Sequence, residues 1–124
     1  KKAQMTEIKN QKPRYDLEDR TYRFAEKVRN YVKKLPRTIS NIEYGKQLIR
    51  SSGSQAANYI EANESLGRKD FAMKIKICRK ESKESILWLN LSEPLPENQE
   101  EKESLIKECI ELMKIFGSIL EKSK

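Results

Sequence analysis

The sequence predicts an all-α protein, an antiparallel up-down-up-down four-helix bundle. Three observations carry that prediction. Apolar and charged residues each make up 36% of the chain, a balance that suits amphipathic helices with solvated outer faces. Only four Gly and four Pro are available for turns, too few for a many-stranded β fold. Four stretches repeat apolar or small residues at alternating intervals of four and three, with breaks at Pro36, at Gly67 and around Pro94 and Pro96. That rhythm is the mark of a seam along one side of a helix.

Residues 1–15 are polar, unpatterned and carry a net charge of +4. They read as a basic flexible arm ahead of a bundle domain over 16–124. The sequence starts at Lys1, not Met, so a short stretch is expected to be missing or processed. Helix 1 is expected over 16–35. Its seam is Leu17, Phe24, Val28, Tyr31 and Leu35, with Thr21 filling the gap. Asp16, Glu18 and Asp19 open the helix and Lys33 and Lys34 close it, as the macrodipole favours.

Helix 2 is expected over about 40–65, with Ser40 or Asn41 as N-cap and Glu43 reaching back in capping-box fashion. Its seam is Gly45, Ile49, Ser52, Ala56, Tyr59 and Asn63, flanked by Leu48 and Ile60. The centre, SSGSQAA at 51–57, is poor helix material. Glycine in a helix interior costs about 0.5–1 kcal/mol relative to alanine. Such a centre implies close packing, so Gly45, Ser52, Gly53, Ala56 and Tyr59 are assigned as helix-packing residues of the most enclosed helix.

Helix 3 is expected over 69–91, with a seam of Phe71, Ile75, Cys78, Ser82, Ser85 and Leu89. Ile77, Ile86, Leu87 and Trp88 widen the apolar sector beyond one seam and suggest a second interface. Helix 4 is expected over 97–121, with a seam of Leu105, Cys109, Leu112, Phe116 and Ile119. At about 1.5 Å per residue the helices are each roughly 30–37 Å long, and their short connections favour antiparallel neighbours.

Composition removes several function classes. There is no histidine, which excludes the usual general base, the usual triads and the commonest metal ligand. Cys78 and Cys109 stand singly on apolar seams and read as buried core residues in a reducing, cytoplasmic setting. Glu61 with Glu64, and Glu81 with Glu84, have the spacing of a weak cation site, but acids at that interval are routine on helices. No phosphate-binding glycine loop, membrane span or secretion signal is present. No catalytic residue, metal or cofactor is expected.

Charge is the one positive signal. The net charge is +7, with +4 over 68–91 and −3 over 92–124. Lys69, Lys76, Arg79, Lys80 and Lys83, with Arg68 beside them and Lys46 and Arg50 near, form a candidate patch for the phosphates of RNA or DNA. The competing reading is a solvated face, interleaved with Asp70, Glu81 and Glu84.

Three blocks then carry a resemblance. YGKQLIRSSGSQAANYIEANE at 44–64, GRKDF at 67–71, and IKICRKESKES at 75–85 with Trp88 and Leu89 resemble the bacterial 23S rRNA intervening-sequence proteins. The match runs from about Tyr15 to Phe116. Gln55 and Ile86 depart from the expected pattern, a small apolar residue and a more polar one. The resemblance implies antiparallel bundles that assemble as homopentamers. It also implies kinship with a basic accessory protein of diversity-generating retroelements, which binds nucleic acid and a reverse transcriptase. It implies no catalytic residues. The expected function is a non-enzymatic oligomeric bundle that binds nucleic acid or a ribonucleoprotein partner through its basic surface. The alternative is a structural or protein-interaction module without nucleic-acid affinity.

Overall fold

The computed structural model describes residues 17–124. The arm expected over 1–15 and the acid at Asp16 lie outside them. Four α-helices follow one another in the described residues: α1 (Leu17–Lys33), α2 (Ile39–Asn63), α3 (Arg68–Leu91) and α4 (Gln99–Lys122), the last preceded by a 3-10 turn at Pro96–Asn98. There is no strand among them. Each helix packs on the next, most extensively α2 on α3, and α1 meets α4 more sparsely to close the ring.

Contacts between neighbours run in opposite order along the two helices, so the neighbours are antiparallel. Tyr44 stacks on Trp88, Arg50 meets Glu84, and Glu61 holds Lys74. Val32 faces Gly45 while Glu18 accepts from Asn63. Ser82 accepts from Cys109 while Asn90 accepts from Lys102. The core holds Phe24, Val28, Tyr31, Leu48, Ile75, Leu89, Leu112 and Phe116, all essentially inaccessible to solvent. Apart from Leu48, these are the seam positions of α1, α3 and α4, where the four–three spacing places side chains on one stripe.

Two features of α2 differ from the sequence expectation. Its N-cap is Thr38, whose Oγ1 accepts from the Asn41 N–H at 3.1 Å. Ser40 and Asn41 are already inside the first turn. The Asn41 side chain joins two loops instead: its Nδ2 donates to the carbonyls of Pro36 and Glu93, and its Oδ1 accepts from the Glu93 N–H. It thereby ties the α1–α2 loop to the α3–α4 loop. Tyr31 and Ser92 share a hydrogen bond of 2.7 Å at the same end of the bundle. Lys102 donates to the carbonyls of Asn90 and Ser92 there, where α3 ends.

The buried face of α2 is also rotated. Leu48, Ser51, Ser52, Gln55 and Ala62 are buried, while Ile49 and Asn63 are exposed. A helix packed on both α1 and α3 buries a wide sector, and the larger α3 contact draws the centre of that sector toward α3. Of the assigned packing residues, Gly45 is buried, and a Cβ there would lie 3.0 Å from Val32 Cγ1. Ser52 is buried; Ala56 and Tyr59 are half-buried, with the Tyr59 ring 6.2 Å from that of Phe116. Gly53 is a correction: a Cβ at this position would meet nothing within 4 Å. No neighbour approaches it, so close packing does not account for this glycine.

The buried α2–α3 contact contains a polar layer. Ser51 and Ser85 join hydroxyls at 2.8 Å, and Gln55 Nε2 donates to Ser85 Oγ at 3.0 Å. Cys78 and Cys109 border this layer, their thiols donating to the carbonyls of Gln55 and Ser82. Small side chains let two backbones come close. Their hydroxyls also satisfy one another where they are buried, and an unmatched buried polar group costs about 1–3 kcal/mol.

Candidate nucleic-acid interface

Lysines dominate the outer line of α3 because the opposite side is committed to the core. Ile75, Cys78, Ser82, Ser85 and Leu89 point inward. The 100° step between residues then sets Lys69, Lys76, Lys80 and Lys83 on the solvent side. All four are exposed, as are Arg68 and Arg79. Among the described residues none of these six makes an ion pair. The Arg79 guanidinium leans toward α4, its Nε 3.9 Å from where a Cβ on Gly117 would stand.

The acids that interleave with them in sequence are segregated in space. Glu81 is buried and turns toward α2, where it accepts from Arg50 at 3.2 Å. Glu84 accepts from the same guanidinium at 2.9 Å. Of the acids within α3, only Asp70 is exposed. The lysine line therefore presents positive charge with little intervening neutralisation, which suits a phosphate backbone.

The two α2 cations stand differently. Arg50 is engaged by both acids, and its pKa is raised, first by the hydrogen bond to Glu81. Lys46 lies 3.5 Å from Glu43, with both side chains mostly in water. Arg50 is thus occupied in joining α2 to α3. The cation-site spacing seen in sequence is used in the same way: Glu81 and Glu84 hold Arg50, and Glu61 holds Lys74 at 2.8 Å.

Two exposed apolar residues share the lysine line, Met73 at 55% and Leu87 at 48% of full exposure. Two residues of the surplus apolar sector, Ile86 and Trp88, are absorbed within the chain. Trp88 stacks on Tyr44 with ring centres 6.0 Å apart, and Ile86 packs against the core. On α2, Ile39, Ile49 and Ile60 remain exposed. The thiols of Cys78 and Cys109 are pushed up to about 12, chiefly by burial, and such thiols are poor nucleophiles. No helix among the described residues is long and apolar enough to cross a membrane.

A family model described as 23S rRNA-intervening sequence protein matches residues 15–118. A crystal structure from Bacteroides thetaiotaomicron, described as a protein with unknown function from the S23 ribosomal protein family, is similar in fold. Its TM-score is 0.71 and its identity 32%, over 83% of this chain and 96% of that one. No curated protein matches the sequence.

Proposed function

The chain belongs to the 23S rRNA-intervening sequence protein family, and we propose that it is a non-catalytic, cytoplasmic bundle that binds the backbone of RNA or DNA through the outer face of α3. The carrying observation is the line Lys69, Lys76, Lys80 and Lys83, exposed and without ion pairs among the described residues, with Arg68 and Arg79 beside it. Binding of this kind is electrostatic, falls with salt and has little sequence preference. Lys46 and Arg50 are kept as outlying members of the surface. Neither is expected to contribute as much, since each has an acid to hold it.

Self-association belongs to the same reading. Ile39, Ile49 and Ile60 leave an apolar side of α2 in water, and covering it by further copies of the chain, five in a closed ring, removes that exposure. A ring would also repeat the lysine line around one assembly and raise its avidity for a long polyanion. A reverse-transcriptase-like protein carrying nucleic acid is a second partner of suitable chemistry.

Anisotropy of labelled single-stranded RNA and duplex DNA at rising salt tests the reading. Binding at low salt that weakens steeply with salt is expected. The triple variant K76E/K80E/K83E should weaken it roughly tenfold or more. A folded protein indifferent to both nucleic acids at low salt overturns it in favour of a purely structural module. Light scattering tests the assembly, and a monomer at micromolar concentration would remove the ring.

A further inference from the structure

Of the neighbouring helix pairs, α1 and α4 are the most loosely packed. A cleft of about 500 Å³ opens between them, with buried Phe24 at its base. On α1 and just past its end, the cations Arg20, Lys27 and Lys34 recur every seven residues. Acids on α4 answer the outer two. Glu108 takes the Arg20 Nε and Nη2 at 2.7 and 2.9 Å, and Glu101 takes the Lys34 ammonium at 2.7 Å.

The middle rung has no acid. Lys27 is exposed and without an ion pair among the described residues. On α4 the cleft is lined by Ser104, Lys107, Glu108 and Glu111. Lys107 is likewise exposed and unpaired among the described residues. Two ammonium groups and a hydroxyl thus border one concavity, where an acid would have completed the ladder. Arg23 stands on the α1 wall, held by Asp19 at 2.7 Å. Of the two acids in the lining, Glu108 has both oxygens taken by Arg20, and Glu111, whose field also falls on Arg20, makes no ion pair with Lys27 or Lys107 among the described residues. The lining carries four cations, Arg20, Arg23, Lys27 and Lys107, against two carboxylates, an excess of positive charge that an anion offsets.

We propose that this cleft binds a phosphate group, with Lys27 and Lys107 as the clamp, Ser104 as a hydroxyl donor and Arg23 behind them. The volume falls in the range of small-molecule sites, about 300–1,000 Å³. It leaves room over Phe24 for the organic part of a phosphorylated ligand. Phosphate could come from a free phosphorylated small molecule or from the backbone of single-stranded nucleic acid. The site uses no residue of α3, so it stands apart from the lysine line.

The full chain, labelled with ¹⁵N, is titrated separately with pyrophosphate, AMP and a single-stranded oligoribonucleotide at low salt. Saturable shifts of the Lys27, Ser104 and Lys107 amides by pyrophosphate are expected. Lys27→Glu and Lys107→Glu should each weaken pyrophosphate binding roughly tenfold or more, whereas Lys80→Glu should leave it unchanged. Lys27→Glu supplies the missing acid opposite Lys107, so its thermal midpoint should hold or rise while binding is lost. AMP binding at least as tight as pyrophosphate assigns the cleft to a small molecule. Preference for the oligoribonucleotide, abolished by Lys27→Glu, assigns it to a backbone phosphate. No saturable shift at millimolar pyrophosphate, or shifts unmoved by both reversals, overturns the proposal. The pyrophosphate arm reads out even where the α3 line binds no nucleic acid.

Discussion

Gly53 shows where a residue-level reading of the sequence stops. A glycine at the centre of a long helix suggests that a neighbour needs the space, yet a Cβ there meets nothing within 4 Å. Its backbone does not require glycine either, since no residue of the described chain has a positive φ. Gly53→Ala should therefore stabilise the fold by about 0.5–1 kcal/mol, the ordinary helix-propensity difference, as read by urea denaturation. Destabilisation would mean that this surface is covered in solution. Cys78 and Cys109 behave as their seam positions suggest, and their burial has a pH consequence. Both thiols are raised from 9.0 to about 12 in the fold, so between those limits they ionise in the unfolded chain but stay protonated when folded. Their contribution is fully present below pH 9.0 and is lost as pH rises toward 12, by about 1.4 kcal/mol per pH unit for each thiol at the steepest. Burial of Tyr31 and Tyr59 shifts those groups in the same direction. The alkaline fall in urea midpoint should be shallower in Cys78→Ala and in Cys109→Ala than in the parent. Equal slopes would show that the thiols ionise in the native bundle.

At the scale of elements, helix existence was legible in the sequence and helix rotation was not. Breaks at Pro36, Gly67 and Pro94 end the apolar rhythm unambiguously, and the seams of α1, α3 and α4 fall on the core. The α2 seam misled because its interior positions include Ser51 and Gln55, which no count of apolar residues selects. Gln55 departs from the small apolar residue expected there because it lies in the polar layer with Ser85. A partner on a distant segment is invisible to local spacing. Asn41 is the same lesson at a helix end. In sequence it reads as a cap, whereas in the fold it is 2% exposed and binds two loops together through Pro36 and Glu93. Asn41→Ala leaves those carbonyls and the Glu93 N–H without their partner. A loss of about 1–3 kcal/mol is expected, measured as a lowered urea midpoint. Protection of the Glu93 amide against hydrogen exchange should fall with it. Unchanged protection would mean that the two loops are held together by Tyr31 and Ser92 alone.

Across the whole molecule, the total charge was readable from composition, but which cations are free was not. Sequence spacing grouped Arg50 with the lysines of α3, and folding instead sets it against Glu81 and Glu84. The α1–α4 cleft was hidden for a related reason, since the seven-residue spacing of Arg20, Lys27 and Lys34 gains meaning only once α4 is known to face it. This division of cations gives a sharp test of the α3 surface. Each phosphate contact contributes roughly 0.7–0.9 to the slope of log affinity against log salt. Removing Lys76, Lys80 and Lys83 together should flatten that slope by about 2, with little change in stability, because none of the three makes an ion pair among the described residues. Arg50→Ala should do the reverse. It leaves the Glu81 carboxylate buried without its cation, and because Arg50 is itself half-exposed the loss is expected near 1–2 kcal/mol. The salt slope should stay almost unchanged. Two measurements on each variant, a urea midpoint and a salt titration of RNA binding, separate these outcomes. If Arg50→Ala flattens the slope as much as the lysine variant, the guanidinium leaves its acids on binding, and the interface spans α2 and α3 rather than α3 alone.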